Sequence, residues 1–372
     1  MLNSVTFHLG MDVHKDSITV AVFRGAAREP EAVERLPYDL KKLKRLLDRL
    51  SREGSLRACY EASGAGFVLQ RQLTTWGYHC DLAAPSLIPT RPGDQRKHDR
   101  IDAIRLGQLY RSGELTLIHV PEEADEQVRD LVRCRETFQR EILRSRHYVL
   151  KFLRRRGLVY RGKSNWTRKH REWLNAVASS STDLSSEDRV VLAEYLALLD
   201  YKVGRRQALD QKIEEIALSP RYRQIVGRLR CFRGVDTQSA MVLATELHDL
   251  RRFQNPQQLM AYLGLVPREH SSGERRNQGS ITKAGNTHCR HVLVQAAWSY
   301  RNRPAVGEAL RLRQQDQDAH VVAHTWKAQH RLFKLYHRIH SRRPAQIAAV
   351  AVARELIGFI WAVAQDDVLQ AV

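Results

Sequence analysis

At 372 residues the chain is too long for one ordinary core, which points to two or three domains. Its 43% hydrophobic and 27% charged residues exclude extensive disorder. The 61 Lys and Arg against 41 Asp and Glu leave a net charge of +20, an excess that calls for a polyanionic partner, nucleic acid before membrane.

In chain order, SVTFHLGMDVHKDSITVAVFR (4–24) holds two β-rich runs joined at a polar turn around His14-Lys15-Asp16, a hairpin. EAVERLPYD (31–39) gives a third strand, and the following stretch sets Leu40, Leu43, Leu46, Leu47 and Leu50 at a helical period. LRACYEA (56–62) reads as a strand, GFVLQRQLTTWG (66–77) as a helix and YHCDLAAP (78–85) as a strand. DRIDAIRLGQLYRSG is a helix ending at Gly113. This order predicts a mixed sheet flanked by helices in a first domain, residues 1–118.

A second region, 119–221, reads as nearly all helix. Val128, Leu131, Val132, Phe138, Ile142, Val149 and Phe152 mark one long amphipathic helix, and a second runs from about 186 to 217. Two such helices with an insertion between them predict an antiparallel coiled coil or dimerisation arm. Residues 140–171 carry twelve Lys or Arg and one acid, Glu141, with Tyr148, Tyr160 and Trp166 interleaved, the composition of a nucleic-acid groove.

The third region, 222–372, returns to short helices. LRCFRGVDTQSAMVLATEL is helix, tight turn, helix, and HTWKAQHRLFKLYHRIH is a basic helix. Trp298, Trp326 and Trp361 sit at apolar helical positions and read as core. The apolar run IAAVAVARELIGFIWAVA is broken by Arg354 and Glu355 and predicts a packed helix, not a membrane span. The N-terminus lacks a basic segment followed by an apolar run, so no signal peptide is expected. Five widely spaced cysteines, with no pair at zinc-ligand spacing, suggest reduced cytosolic thiols.

The acids of the first domain stand out. Asp12 lies at the end of the first strand and Glu61 at the end of ACYE, while Asp99 and Asp102, three apart on a helix, share a face. Taken singly, each acid also fits a structural role as helix cap, first-turn acid or turn residue. Should strand ends and helix meet, four carboxylates converge, and a pair of Mg²⁺ ions would relieve their repulsion and serve phosphoryl transfer.

GMDVHKDSITVAVF, CYEASGAGF and KHDRIDAIRLGQLYR resemble the three blocks of a RuvC-like nuclease domain with an Asp-Glu-Asp-Asp tetrad. GVDTQSAMVLATEL and YLGLVPREHSSGERRNQGSITKAGNTHCRHVLVQAA resemble the C-terminal domain of the same proteins, the DEDD transposases of an insertion-sequence family related to the pilin-gene invertases. The resemblance implies an α/β RuvC/RNase H-like domain, a helical coiled-coil arm and a mainly helical serine transposase domain. It implies that Asp12, Glu61, Asp99 and Asp102 bind Mg²⁺, with Mn²⁺ as a substitute, and that Ser272 is the nucleophile. It further implies a recombinase that chooses donor and target double-stranded DNA through a structured guide (bridge) RNA. A homo-oligomer, dimer or tetramer, would join through the arms in the prokaryotic cytoplasm, at the nucleoid, with sites composed from different copies. Asp236 stands where such proteins often repeat a glycine, and Cys289 and His291 stand where a leucine and a basic residue are commoner.

On this reading HSSGERRNQGSITKAGN (270–286) carries the reacting serine. Arg275, Arg276, Lys283 and Arg290 would neutralise phosphate oxygens, Gly279 and Gly285 would let the backbone approach the DNA, and Arg154, Arg155 and Arg156 would hold nucleic acid from the basic insertion. One rival reading is a metal-dependent nuclease of the resolvase type with water as nucleophile. Others are a non-catalytic nucleic-acid binder and an actin-like phosphotransferase, the last lacking a second Gly-rich nucleotide loop.

Overall fold

A computed structural model describes residues 5–62, 64–89, 98–180, 182–269 and 278–365. Its packing divides the chain into two compact units, 1–121 and 122–372.

The first unit runs β1 (Val5–Val13), β2 (Ser17–Arg24), β3 (Ala32–Pro37), α1 (Leu40–Ser51), β4 (Gly54–Glu61), α2 (Val68–Thr75), β5 (His79–Ala83), α3 (Asp99–Ser112) and β6 (Leu117–Ile118). The expected order of strands and helices is present, with the short β6 as an addition. The sheet order is β3-β2-β1-β4-β5-β6; β1 pairs antiparallel with β2 and parallel with β4, and β5 lies parallel to β4.

Strand alternation sorts the side chains into two layers. Phe7, Leu9, Met11 and Val13 of β1, with Leu56, Ala58 and Tyr60 of β4, face Leu43, Leu46, Leu47 and Leu50 of α1 and Leu69 and Leu73 of α2. Asp39 caps α1 by accepting from the Lys41 amide at 2.8 Å, and each buried leucine contributes about 1.5–3 kcal/mol of apolar burial. The opposite parity of the same strands faces α3: Ala21 and Phe23 pack on Ala103, and Cys59 packs on Leu106 and Tyr110. Helix α3 lies unusually close to β1. A Cβ on Gly10 would stand 2.2 Å from the Ala103 carbonyl oxygen and the Gly107 nitrogen, and one on Gly107 would stand 2.4 Å from the Phe23 ring. The glycine pair is therefore the contact that seats α3 on the sheet.

The second unit opens with α4 (Glu123–Arg154), followed by α5 (Arg168–Ser179) and α6 (Ser186–Ala217). Helices α4 and α6, 32 residues each, span about 48 Å at 1.5 Å per residue. Ion pairs Arg135–Asp210 and Glu141–Lys202, and the Arg156–Asp188 pair near the tip, show the two running antiparallel. Tyr160, Trp166, His170 and Trp173 form a ring cluster beside α5, with the Arg146 guanidinium 5.1 Å from the Trp166 ring centre. Two of the interleaved aromatics thus help build the tip, while Tyr148 is exposed.

The remaining elements are α7 (Arg223–Arg230), α8 (Thr237–Leu247), α9 (Pro256–Tyr262), β7 (Pro267–Glu269), β8 (Gln278–Ile281), α10 (Thr287–Ala297), α11 (Glu308–Gln314), α12 (Ala319–His340) and α13 (Ala345–Val363). Val132 of α4 and Ile213 and Ala217 of α6 belong to the same apolar core as α7 to α10, α12 and α13. The base of the arm is therefore continuous with the C-terminal helices, where the sequence suggested a boundary near 221.

Helix α13 is long and apolar enough to cross a membrane by length and composition, yet Ala348, Val352, Leu356, Ile357 and Ile360 are fully buried in that core. Its Glu355 pairs with Arg331 of α12 at 2.6 Å. Trp361 is partly buried and donates to the Phe253 carbonyl at 2.9 Å, but Trp326, expected in the core, is 41% exposed. The buried stripe of α12 runs through Val321, Thr325, Ala328, Gln329 and Leu332, one position away from Trp326. All five cysteines are free thiols.

Candidate active site

The parity that packs Cys59 against α3 also sends Glu61 to the α3 side. Asp12, two residues beyond Gly10, points the same way. Because β1 and β4 are parallel neighbours, with Met11 opposite Tyr60, both acids emerge at the same end of the sheet. Helix α3 starts there, with Asp99 and Asp102 in its first turn, where the helix dipole favours negative charge. Its N-cap is His98, whose Nδ1 accepts from the Arg100 amide at 3.2 Å, so Asp99 is the first helical residue rather than the cap. All four carboxylates line one open cleft of about 880 Å³, walled also by His14, Lys15, Tyr38, Gly64, Ala65 and Val68.

Tyr60 supports that wall from beneath. It is fully buried, donates to the Gly66 carbonyl at 2.8 Å and accepts from the Gln70 amide at 3.2 Å. Burial holds its phenol well above the usual tyrosine range, so it stays a donor.

Burial also lifts the Asp12 carboxyl above its usual range. His14 opposes that shift, and the charges of Asp102 and Asp99 add to it. Basic side chains already face the acids: His14 Nε2 lies 3.1 Å from Asp12 Oδ2 and 3.7 Å from Asp99 Oδ1, and Arg35 Nη2 lies 3.4 Å from Asp99 Oδ2. Hard oxygen donors gathered with like-charge repulsion suit a divalent cation of the magnesium or manganese type. Among the described residues, Asp12, His14 and Asp99 bring one ligand atom each to within 4.8 Å of one another. His14 was overlooked among the site residues of the sequence; its signal was the Asp-x-His spacing at a strand end.

In the second unit, Ser272, Arg275 and Arg276 lie outside the described residues, as do His270 and Ser271. Their flanks are described. Strands β7 and β8 pair antiparallel on either side of 270–277, and Lys283 follows, exposed, with a left-handed φ of 58°. Arg290 reaches back from α10, its Nη1 donating to the carbonyls of Leu263 (2.9 Å), Ala284 (2.6 Å) and Gly285 (3.2 Å). The space above Gly285, expected to admit DNA, is taken by protein: a Cβ there would stand 1.9 Å from the Tyr262 carbonyl oxygen. Asn286 caps α10 and donates to Glu246 at 2.6 Å.

Glu246 is the hub of this region. Its side chain is 2% exposed and receives Arg133 of α4 through two bonds of 2.6 and 2.9 Å. Burial alone would raise this carboxyl, but Arg133 and Asn286 outweigh it and hold it below its usual range. Beside it, His288 pairs with Glu136. Asp236 caps α8, accepting from the Ser239 amide at 2.8 Å. In the basic insertion, Arg154 and Arg155 are exposed, whereas Arg156 pairs with Asp188 and lies 3.8 Å from the Phe152 ring centre.

Comparison with known proteins adds a common thread. A transposase model of the IS110 DEDD type matches residues 9–156, and one described as Transposase IS116/IS110/IS902 family matches residues 227–310. A Sinorhizobium fredii protein named "Putative transposase y4qE" is 38% identical over 83% of this chain and 75% of its own length. The transposase for insertion sequence element IS1533 of Leptospira borgpetersenii is 32% identical over 90% of this chain and 97% of its own. The transposase for element IS1111A of Coxiella burnetii is 26% identical over 64% of each.

Proposed function

Since the chain belongs to the IS116/IS110/IS902 family of insertion-sequence transposases, and so cleaves and rejoins DNA, we propose that it is an RNA-guided recombinase working through a serine-linked intermediate. The observation that carries this reading is the convergence of Asp12, Glu61, Asp99 and Asp102 on one cleft. The antiparallel β3-β2-β1 triplet continued by parallel β4 and β5, with acids at the ends of the two central strands, supports a RuvC/RNase H-like first unit.

The four carboxylates would hold one or two divalent ions of the Mg²⁺ or Mn²⁺ type. Bound there, the metal supplies Lewis-acid polarisation of a phosphodiester and neutralises charge developing on its oxygens. Ser272 Oγ gives up its proton and attacks phosphorus, the bond to the 3′-oxygen breaks, and that oxygen takes up a proton and leaves as a free 3′-hydroxyl. The bond energy is kept in the phosphoserine link and returned when a new 3′-hydroxyl attacks. Lys283, Arg275 and Arg276 neutralise non-bridging oxygens. Arg290, through Nη1, holds the backbone that presents Lys283.

Donor and target duplexes and a structured guide RNA are the polyanions that a net charge of +20 and the exposed Arg154 and Arg155 accommodate. The paired arms act as a coiled-coil joint of a dimer or tetramer, a reading supported by the exposed apolar side chains Val190, Leu198 and Tyr201 along α6. The protein works in the cytoplasm at the nucleoid.

The test is a covalent-adduct gel with protein, flanking RNA, Mg²⁺ and labelled donor and target duplexes. The expected DNA-linked band disappears in Ser272→Ala, persists in Ser271→Ala and requires Asp12. Cleavage without a linked band, undiminished in Ser272→Ala, would instead mean a metal nuclease that uses water.

A further inference from the structure

We infer that His14 is itself a ligand of the cleft's cation, so that the site binds through a mixed nitrogen–oxygen set and prefers manganese to magnesium. This rests on the reading of the cleft as a divalent-metal site and adds a residue outside the carboxylate tetrad.

Three observations converge on the imidazole. First, His14 follows Asp12 by two, so alternation keeps both on the α3 side, and the His14 amide is anchored by donating to the Ser17 carbonyl at 2.9 Å. The ligand therefore sits on the fixed turn between β1 and β2. Second, Nε2 lies between acids from two elements, 3.1 Å from Asp12 Oδ2 and 3.7 Å from Asp99 Oδ1. Ligands about 2.1–2.2 Å from one ion are spaced at roughly 3.0 Å when adjacent and about 4.3 Å when opposite. The two separations from Nε2 fall within that range and all three ligand atoms lie within 4.8 Å of one another, so small side-chain adjustments place them on one cation. Third, Arg35 engages Asp99 Oδ2 from β3, which leaves Oδ1 as the oxygen turned toward His14. The ring is half exposed, so the Nε2 contact with Asp12 is replaceable without repacking a core.

The chemistry then sets the preference. Magnesium takes oxygen ligands in a tight octahedron and gains little from imidazole, whereas manganese, also oxygen-seeking but a first-row transition ion, gains more from a nitrogen ligand. An imidazole added to carboxylates therefore strengthens manganese binding selectively.

The experiment is Mn²⁺ titration of the full-length protein followed by electron spin-echo envelope modulation of the Mn²⁺-loaded protein, without nucleic acid. Wild type is compared with His14→Asn, His14→Gln and Asp12→Asn, and with wild type carrying ¹⁵N-histidine. The expected result is an imidazole ¹⁴N modulation that converts to ¹⁵N on labelling and vanishes in both His14 variants. Their Mn²⁺ affinity falls about tenfold, and their Mg²⁺ affinity by less than about threefold. Mn²⁺ binding that depends on Asp12 but shows no histidine nitrogen in the wild type overturns the role of His14 and leaves the metal site standing. Absence of any Asp12-dependent Mn²⁺ binding overturns both. The labelled wild type decides between these outcomes even where a His14 variant fails to fold.

Discussion

The two units build their polar sites by opposite means. In the first, the backbone does the placing: parallel register aligns Asp12 with Glu61, and the Gly10–Gly107 contact lowers the start of α3 over them. The acids are left partly open and mutually repelling, a strained arrangement that a cation relieves. In the second, side chains do the placing. Buried Glu246 ties α4, α8 and the cap of α10 together, and Arg290 ties the Tyr262–Gly285 crossing to α10. The carboxylate cleft holds charge ready for something outside the chain, while the Glu246 hub spends its charges on the chain itself.

The largest effect that tests this contrast comes from Asp12→Asn. DNA cleavage should fall by about 10³-fold, equivalent to about 4 kcal/mol in the barrier, in a gel assay with saturating divalent ion. Stability should move the other way. The folded-state pKa of Asp12 is raised, so its contribution is present below the unfolded value and is lost as pH rises through the folded one. At neutral pH and without metal, Asp12→Asn should therefore unfold at a higher denaturant concentration than wild type. A lower midpoint would mean that the acids are structural.

Next in size is Gly107→Ala. The added methyl meets the Phe23 ring and must lift α3, taking Asp99 and Asp102 with it. A shift of about 1 Å at the reacting groups costs about 10²-fold in cleavage, and overpacking costs about 1–3 kcal/mol by urea unfolding. Wild-type cleavage with normal stability would show that the glycine contact does not set the site.

Much of the first unit was legible because its signals are local. Strand runs, the leucine period of α1 and the Asp-x-x-D spacing each lie within a dozen residues. Their convergence follows from alternation once the strand order is known. The Gly10–Gly107 contact was not legible, since nothing in either neighbourhood names the other. The hub had a visible half: Glu246 is a lone acid in the apolar stretch AMVLATEL. Its partners Arg133 and Asn286 are 113 and 40 residues away, and no periodicity reports pairs of that kind. Trp326 was misplaced because polar Thr325 and Gln329 occupy the buried stripe beside it, with Thr325 bonded to the buried Gln314 at 3.3 Å. A hydrophobicity rule puts the tryptophan inside, and the hydrogen bonds put its neighbours there instead.

The hub supplies a third test, smaller again. Glu246→Gln removes the charge from a buried, triply bonded carboxylate and should cost on the order of 2 kcal/mol by urea unfolding at pH 7. The folded pKa of Glu246 is depressed, so its stabilisation is present above the unfolded value and is lost as pH falls through the folded one. The gap between wild type and variant should accordingly narrow below about pH 4, where the unfolded carboxyl titrates. A gap that stays constant into acid would assign the stability to shape rather than charge.

The smallest effect separates three consecutive arginines at the tip of the arm. Arg154 and Arg155 are exposed, whereas Arg156 is held by Asp188 and lies over Phe152. A side chain already hydrogen-bonded to a carboxylate gives up that pairing when it turns to a phosphate, so the exposed neighbours should carry the nucleic-acid contact. Replacing Arg154 or Arg155 by Ala should weaken RNA or DNA binding in low salt and reduce the slope of log affinity against log salt by up to about 1 per residue. Arg156→Ala should leave the slope nearly unchanged and lower the thermal midpoint, because it loosens the α4–α6 tip. The reverse pattern would place the outward-facing charge on Arg156. The arm would then resemble the carboxylate cleft, with its functional charges parked on internal partners until the ligand arrives.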